Sequence, residues 1–251
     1  MNNKAIILLL LYLSLSPAIV QPYPVKKYKP GETIIKTDWG GTEKFNKYMP
    51  GKSSPGCHST AMAQILFYNR MQPYGTVEYI SSKGYKVSLD LSDHKFDWNL
   101  FESNINDTTP GKISDEMARF VYYVSALLQK DYGTGNYMKK FHKKQISRHV
   151  NCEVHEYVRY KGLITSKRKL IRTVTREINE LRPVYFHYTG FNGDGHSVVI
   201  DGYRNEGDNF MVHLVFGKGG NQTGWYDFNK GIISDNDLTY RSIITIKPKR
   251  Q

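Results

Sequence analysis

Two residues carry the types and setting that nucleophilic chemistry requires. Cys57 stands in Ser54-Pro55-Gly56-Cys57-His58-Ser59-Thr60-Ala61-Met62-Ala63-Gln64-Ile65-Leu66-Phe67-Tyr68. The Pro-Gly turn delivers the thiol to the first turn of a helix, whose apolar face is given by Ala61, Met62, Ile65 and Leu66 at i, i+3, i+4 spacing. A helix N-terminus presents unsatisfied N–H groups and a partial positive charge. A thiol placed there ionises more easily, and the thiolate is the nucleophile. A lone cysteine at a helix start suits a buried structural thiol equally well, so a base has to be found. His196 supplies one: Gly193-Asp194-Gly195-His196 opens the strand Ser197-Val198-Val199-Ile200-Asp201-Gly202-Tyr203, a glycine-flanked position at the edge of a cleft, suited to a general base. The other seven histidines, 58, 94, 142, 149, 155, 187 and 213, are expected in loops, on the surface or satisfied in the core.

The elements that must hold these two residues divide into halves. The helix after Cys57 is predicted to end between Asn69 and Pro73, and Val77–Ile80 with Lys86–Leu91 reads as a hairpin about Ser82-Lys83-Gly84. Met117, Phe120, Val121, Val124, Leu127 and Leu128 recur at helical spacing, with Ser114 as the predicted N-cap. A shorter helix is predicted around Met138–His149. Another starts at Ser166, buries Leu170, Val174, Ile178 and Leu181, and ends before Pro183. From there short β-branched and aromatic runs take over: Val184–Tyr188, Ser197–Asp201, Phe210–Val215, Gly224–Phe228 and Ser242–Ile246. Helices first and antiparallel strands afterwards define an α+β protein with a helical half, a sheet half and a cleft between them.

Length and composition narrow the setting. The chain has 251 residues and opens with Lys4 and a short apolar run from Ala5 to Leu13, which reads as a secretory signal peptide over residues 1–21. Residues 22–34 read as a Pro-, Tyr- and Lys-rich arm and residues 35–251 as one domain. No second long apolar run follows, so a mature chain without an integral membrane segment is expected, secreted or, in a Gram-negative host, periplasmic. Only Cys57 and Cys152 are present, too few for a disulfide framework, although a single bridge between them would silence the thiol. Lys and Arg number 35 against 23 Asp and Glu, a net charge of +12. The excess lies in Lys139–Arg148, Lys167–Arg176 and Lys247–Arg250. It favours an acidic surface partner, while no nucleic-acid-binding signature accompanies it. No metal-ligand spacing or phosphate loop occurs, so no cofactor is expected.

The separation of 139 residues between Cys57 and His196 falls in the range of roughly 130–150 found in papain-like proteases. Five further matches occur in order: Gly56-Cys57-x-x-Thr60-Ala61-x-Ala63-Gln64, Asp131-Tyr132-Gly133-x-Gly135, Arg182-Pro183-Val184, Gly195-His196-x-x-Val199-x-Asp201-Gly202-Tyr203 and Gly217-x-Gly219-Gly220. Together, from about Thr37 to Phe228, they resemble the streptopain family of secreted cysteine peptidases. The resemblance implies a papain-like fold and a peptidase acting on protein or peptide substrates. It also implies Cys57 as nucleophile, His196 as base and the Cys57 N–H as an oxyanion donor.

Two positions depart from that family's pattern. Where it carries an oxyanion-hole glutamine after Trp-Gly, this chain has Gly41. Loss of one such donor typically costs about 10²–10³ in rate, and Gln64, two helical turns beyond Cys57, lies too far along the axis to replace it. Where it carries Asn-Trp-Gly-Trp-Gly-Gly, this chain has Val215-Phe216-Gly217-Lys218-Gly219-Gly220. Val215 has no group to orient the imidazole, Asp201 belongs to the opposite strand face, Phe216 is expected to pack over the ring, and Lys218 brings a charge expected to act on Cys57 or His196. The family's long inhibitory prosegment also has no counterpart in Pro22–Gly31. Three readings follow: a secreted cysteine endopeptidase, a catalytically impaired peptidase fold acting as a binding module, or acyl transfer by the same pair, since water and amines compete for one acyl-enzyme.

Overall fold

The computed structural model describes residues 27–134, 137–138, 142–161, 163–189, 195–230, 232 and 240–249. The signal peptide predicted for residues 1–21 lies outside these, as do Gly135, Lys139, Gly193 and Asp194. In chain order the elements are α1 (Gly56–Tyr68), β1 (Thr76–Ile80), β2 (Lys86–Asp90), α2 (Gly111–Leu127), α3 (His142–His149), β3 (Cys152–Tyr160), β4 (Leu163–Ile164), α4 (Lys167–Asn179), β5 (Val184–Thr189), β6 (Gly195–Glu206), β7 (Asn209–Val215), β8 (Gly224–Asp227) and β9 (Tyr240–Pro248). β1 and β2 form the predicted hairpin. The other strands form one antiparallel sheet in the order β4-β3-β9-β5-β6-β7-β8, with the last strand of the chain inserted between β3 and β5.

The period-two alternation of the strands divides the apolar residues between two cores. On one face Tyr185, Val199, Val215 and Ile244 meet Ala61, Ile65 and Leu66 of α1 and Phe120 and Val124 of α2. On the other, Phe186, Val198, Ile200, Leu214 and Ile243 pack with Leu170, Val174 and Ile178 of α4. A sheet covered on both faces explains why β5 to β7 are so apolar. α1 is buried from Ser59 through Leu66; it is a central helix wedged between α2 and the sheet rather than a one-faced surface helix. The thiol at its N-terminus is thereby fixed against the start of β6, with the helical half on one side and the sheet on the other.

Two sequence expectations need correction, and one open point is decided. Ser114 is not the N-cap of its helix: α2 starts at Gly111 after Pro110, whose carbonyl accepts the Ser114 N–H at 3.1 Å, and the fixed φ of proline sets the helix going a turn earlier. Strand β3 is absent from the sequence reading because half of its residues face solvent and their polarity masks the alternation. Cys57 and Cys152 are both free, so no bridge silences the thiol. Cys152 is buried at the start of β3, where its thiol donates to the Val150 carbonyl at 3.6 Å and burial pushes it up to about 11.

The segment before the domain also has a defined course where it is described. Tyr28 is buried with its ring 5.2 Å from that of Tyr203. Its hydroxyl accepts the Tyr203 N–H at 2.7 Å and donates to the Tyr203 carbonyl at 2.8 Å. The Ile34 N–H then donates to the Asp201 carbonyl, so residues 28–34 run along β6.

Candidate active site

Cys57 occupies the first turn of α1, which opens at Gly56 with φ +76. That backbone conformation is readily available only to glycine among ordinary residues, and it turns the chain from Pro55 into the helix. The thiol meets the imidazole of His196, at the start of β6. Burial alone raises the ionisation point of Cys57, but hydrogen bonding and charge from His196, with help from Ser197, outweigh it and leave the thiol below its ordinary value. A thiolate facing an imidazolium is the reactive form of such a pair.

The imidazole is oriented by the backbone. Its Nε2 lies 2.9 Å from the Phe216 carbonyl oxygen, which can only accept, so Nε2 carries a proton and Nδ1 is left to the thiol. The Phe216 ring stacks on the imidazole, 5.5 Å between centroids at 18°, as the sequence suggested. Val215 is buried among the residues packed against α1 and takes no part. Asp201 is likewise excluded: it accepts from His213 Nδ1 at 2.6 Å and from the Ile35 N–H at 3.3 Å.

The loop carrying Phe216 is locked to the segment preceding α1. Asp38 accepts the Gly217 N–H at 3.1 Å and the Thr223 hydroxyl. The Trp39 N–H donates to Gln64 Oε1 at 3.1 Å, which is the actual role of that glutamine. Gly40 is clamped through both backbone groups by the Asn104 carboxamide, at 3.2 and 3.1 Å. A Cβ on Gly40 would stand 2.1 Å from the Gly217 carbonyl oxygen, and one on Gly41 would stand 3.2 Å from that of Lys218. Both glycines have positive φ, +137 and +70. The two loops therefore approach backbone to backbone, and glycine at 41 follows from that contact. Lys218 is exposed and turns its ammonium to Gln222 Oε1 at 2.7 Å.

The open side of the pair is a cleft of about 360 Å³ lined by Gly40, Gly41, Asn46, Pro55, Thr60 and Gly217 beside Cys57 and His196. Behind the pair lies a cluster the sequence reading missed. His58 meets His187 at a tilt of 30° and His142 edge-on, with ring centroids at 4.7 and 4.9 Å. Ser197 Oγ lies 3.0 Å from His58 Nδ1, 2.9 Å from His187 Nδ1 and 2.9 Å from the Tyr185 hydroxyl. Burial holds His142 and His187 down to about 4 and His58 well below its ordinary value. These imidazoles are neutral at physiological pH, and among the described residues they form no metal-holding group. Period-two placement of His187 and Tyr185 on one strand face was the only signal in the sequence.

An α+β scaffold that sets a helix-start thiol against a strand-start imidazole across a cleft defines a thiol peptidase of papain-like architecture. The chain belongs to the Peptidase C10 family, whose profile it matches over residues 39–226; this bears out the streptopain resemblance and makes it a cysteine-type peptidase. The structure is similar to that of active wild-type interpain A cysteine protease from Prevotella intermedia, with TM-score 0.70 and 20% identity over 88% of this chain and 98% of that one. It is also similar to a Prevotella intermedia prointerpain A fragment, with TM-score 0.68 and 19% identity over 88% of this chain and 76% of that one. No curated protein matches the chain in sequence. None of these similarities favours the binding-module reading.

Proposed function

We propose that this chain is an exported cysteine endopeptidase in which Cys57 is the nucleophile and His196 the general acid–base. The observation that carries the reading is the imidazole held by the Phe216 carbonyl at 2.9 Å with its other nitrogen toward the thiol. The Cys57 thiolate attacks the scissile carbonyl carbon, a C–S bond forms, and the carbonyl electron pair moves onto oxygen. The backbone N–H of Cys57, at the helix N-terminus, donates to that oxyanion. As the tetrahedral species collapses, the C–N bond breaks and the proton on Nδ1 passes to the leaving amine. His196 then takes a proton from water, which attacks the thioester and frees Cys57.

Gly41 offers no side-chain donor to the oxyanion, so we expect turnover about 10²–10³ below that of a site with a second donor. Residues 1–21 are proposed as a signal peptide and residues 35–251 as the peptidase domain. No helix among the described residues is long and apolar enough to cross a membrane. The substrate is protein or peptide. Lys167, Arg168, Lys169 and Arg172 stand exposed along α4 and form the surface we assign to an acidic partner.

The test is labelling with an epoxide-type cysteine-peptidase inhibitor, read by intact mass, followed by a casein cleavage assay. One label per chain, lost in Cys57→Ala and in His196→Ala, is the expected result. Absence of labelling from reduced, folded protein would overturn the reading.

A further inference from the structure

We propose that the ammonium of Lys130 is a second counter-ion of the Cys57 thiolate, acting on it independently of His196. Lys130 is only 2% exposed, and a buried lysine requires an anion or must give up its proton. No carboxylate forms an ion pair with it among the described residues. Its neighbour Asp131 spends both carboxylate oxygens on the Ser82 N–H and hydroxyl, each at 2.7 Å, and on the Thr134 hydroxyl at 2.9 Å.

The position of the amine points to the partner. A Cβ on Gly56 would lie 3.1 Å from Lys130 Nζ, which places the ammonium against the residue immediately before Cys57. The same amine lies 5.4 Å from the centroid of the Tyr137 ring, and the Tyr137 hydroxyl in turn accepts the Ser59 N–H at 3.1 Å. An ammonium beside the positive end of a helix is repelled unless an anion offsets it, and Cys57, the next residue after Gly56, can supply one as its thiolate. Burial pulls Lys130 below its ordinary value, and the charge of Cys57 is the strongest influence raising it again, ahead of Asp131.

The other groups around the thiol do not offer a second source of charge. From β6 it meets His196 and Ser197. Tyr137 and Tyr185 are both held protonated by burial. His58, which also feels Lys130, is kept neutral, first by burial and then by its histidine neighbours. Lys130 therefore occupies the role that the sequence had offered to Lys218.

The proposal rests on Cys57 being the reactive thiol, and the experiment separates the two. Iodoacetamide alkylation of Cys57 is followed against pH in the full chain and in His196→Ala, His196→Ala/Lys130→Met and His196→Ala/Lys130→Arg, with folding checked by circular dichroism and Lys130→Gln replacing the methionine variant if that does not fold. In His196→Ala the thiolate is expected to persist below the free-cysteine range. Adding Lys130→Met should move the midpoint up by about one unit, a tenfold fall in alkylation rate at neutral pH, while Lys130→Arg retains most of it. Profiles of His196→Ala and His196→Ala/Lys130→Met that coincide, with labelling at Cys57 intact in the full chain, would overturn the counter-ion. Failure of Cys57 to alkylate in the full chain would instead overturn the reading on which it rests.

Discussion

The Phe216 carbonyl oxygen accepts from His196 Nε2 at 2.9 Å while the ring of the same phenylalanine stacks on the imidazole at 5.5 Å. One residue thus fixes both the tautomer and the plane of the ring, and a side-chain acceptor at 215 is not needed. Val215→Asn is expected to lose stability and gain no activity. The asparagine amide would enter a core site that is 3% exposed, and burial without a partner costs about 1–3 kcal/mol. Urea unfolding and kcat measured together check this; a rise in kcat with unchanged stability would show that the amide reaches the imidazole.

Asp38 reaches His196 through the loop. Its carboxylate holds the Gly217 N–H and the Thr223 hydroxyl, and hydrogen bonds to charged groups contribute about 1.5–3 kcal/mol each. Asp38→Ala is expected to free the Phe216 carbonyl from its place, lowering kcat about tenfold or more with a smaller change in KM. Steady-state kinetics on one peptide substrate suffices, and a pure KM effect would count against the link.

Restoring a glutamine at position 41 is expected to fail. The backbone there has φ +70 and a Cβ would stand 3.2 Å from the Lys218 carbonyl oxygen, and a left-handed non-glycine residue costs roughly 1–2 kcal/mol. Inhibitor labelling rates should fall from the natural chain to Gly41→Ala, with Gly41→Gln no faster than the alanine variant. Gly40→Ala should be worse than either, because its Cβ would meet the Gly217 oxygen at 2.1 Å.

The histidine cluster predicts an acid limit to stability. His142 and His187 are held down to about 4 from an ordinary value of 6.5. Between those values the unfolded chain binds protons that the folded chain refuses, so stability is full above pH 6.5 and falls as pH drops toward 4. The loss should amount to several kcal/mol across the cluster. Urea midpoints at pH 7, 5.5 and 4.5 measure it, and His142→Gln with His187→Gln should flatten the curve; an unchanged slope would remove the cluster as its source.

Much of this arrangement is legible in the sequence because it is local. The turn before Cys57, the apolar run of α1, the cap at Ser166, whose hydroxyl accepts the Lys169 N–H at 3.2 Å, and the glycine before His196 each act within a few residues. What stays hidden is non-local. The Phe216 carbonyl has no side-chain signature, and Lys130 reads as an ordinary surface lysine until the fold wraps it around α1. His58, His142 and His187 come from three elements whose meeting point no spacing rule gives. Gly41 is legible as a loss but not as a requirement, because only the facing Lys218 backbone explains it.

The backbone acceptor for His196 has a genetic consequence. An acceptor that belongs to the peptide group is common to all residue types, so no single codon change deletes it. Null alleles of this enzyme outside Cys57 and His196 should therefore gather not at one orienting residue but at the fasteners of the loop, Asp38, Gly40, Asn104, Gly217 and Thr223, with a saturation library showing tolerance at 215 for apolar residues of valine's size.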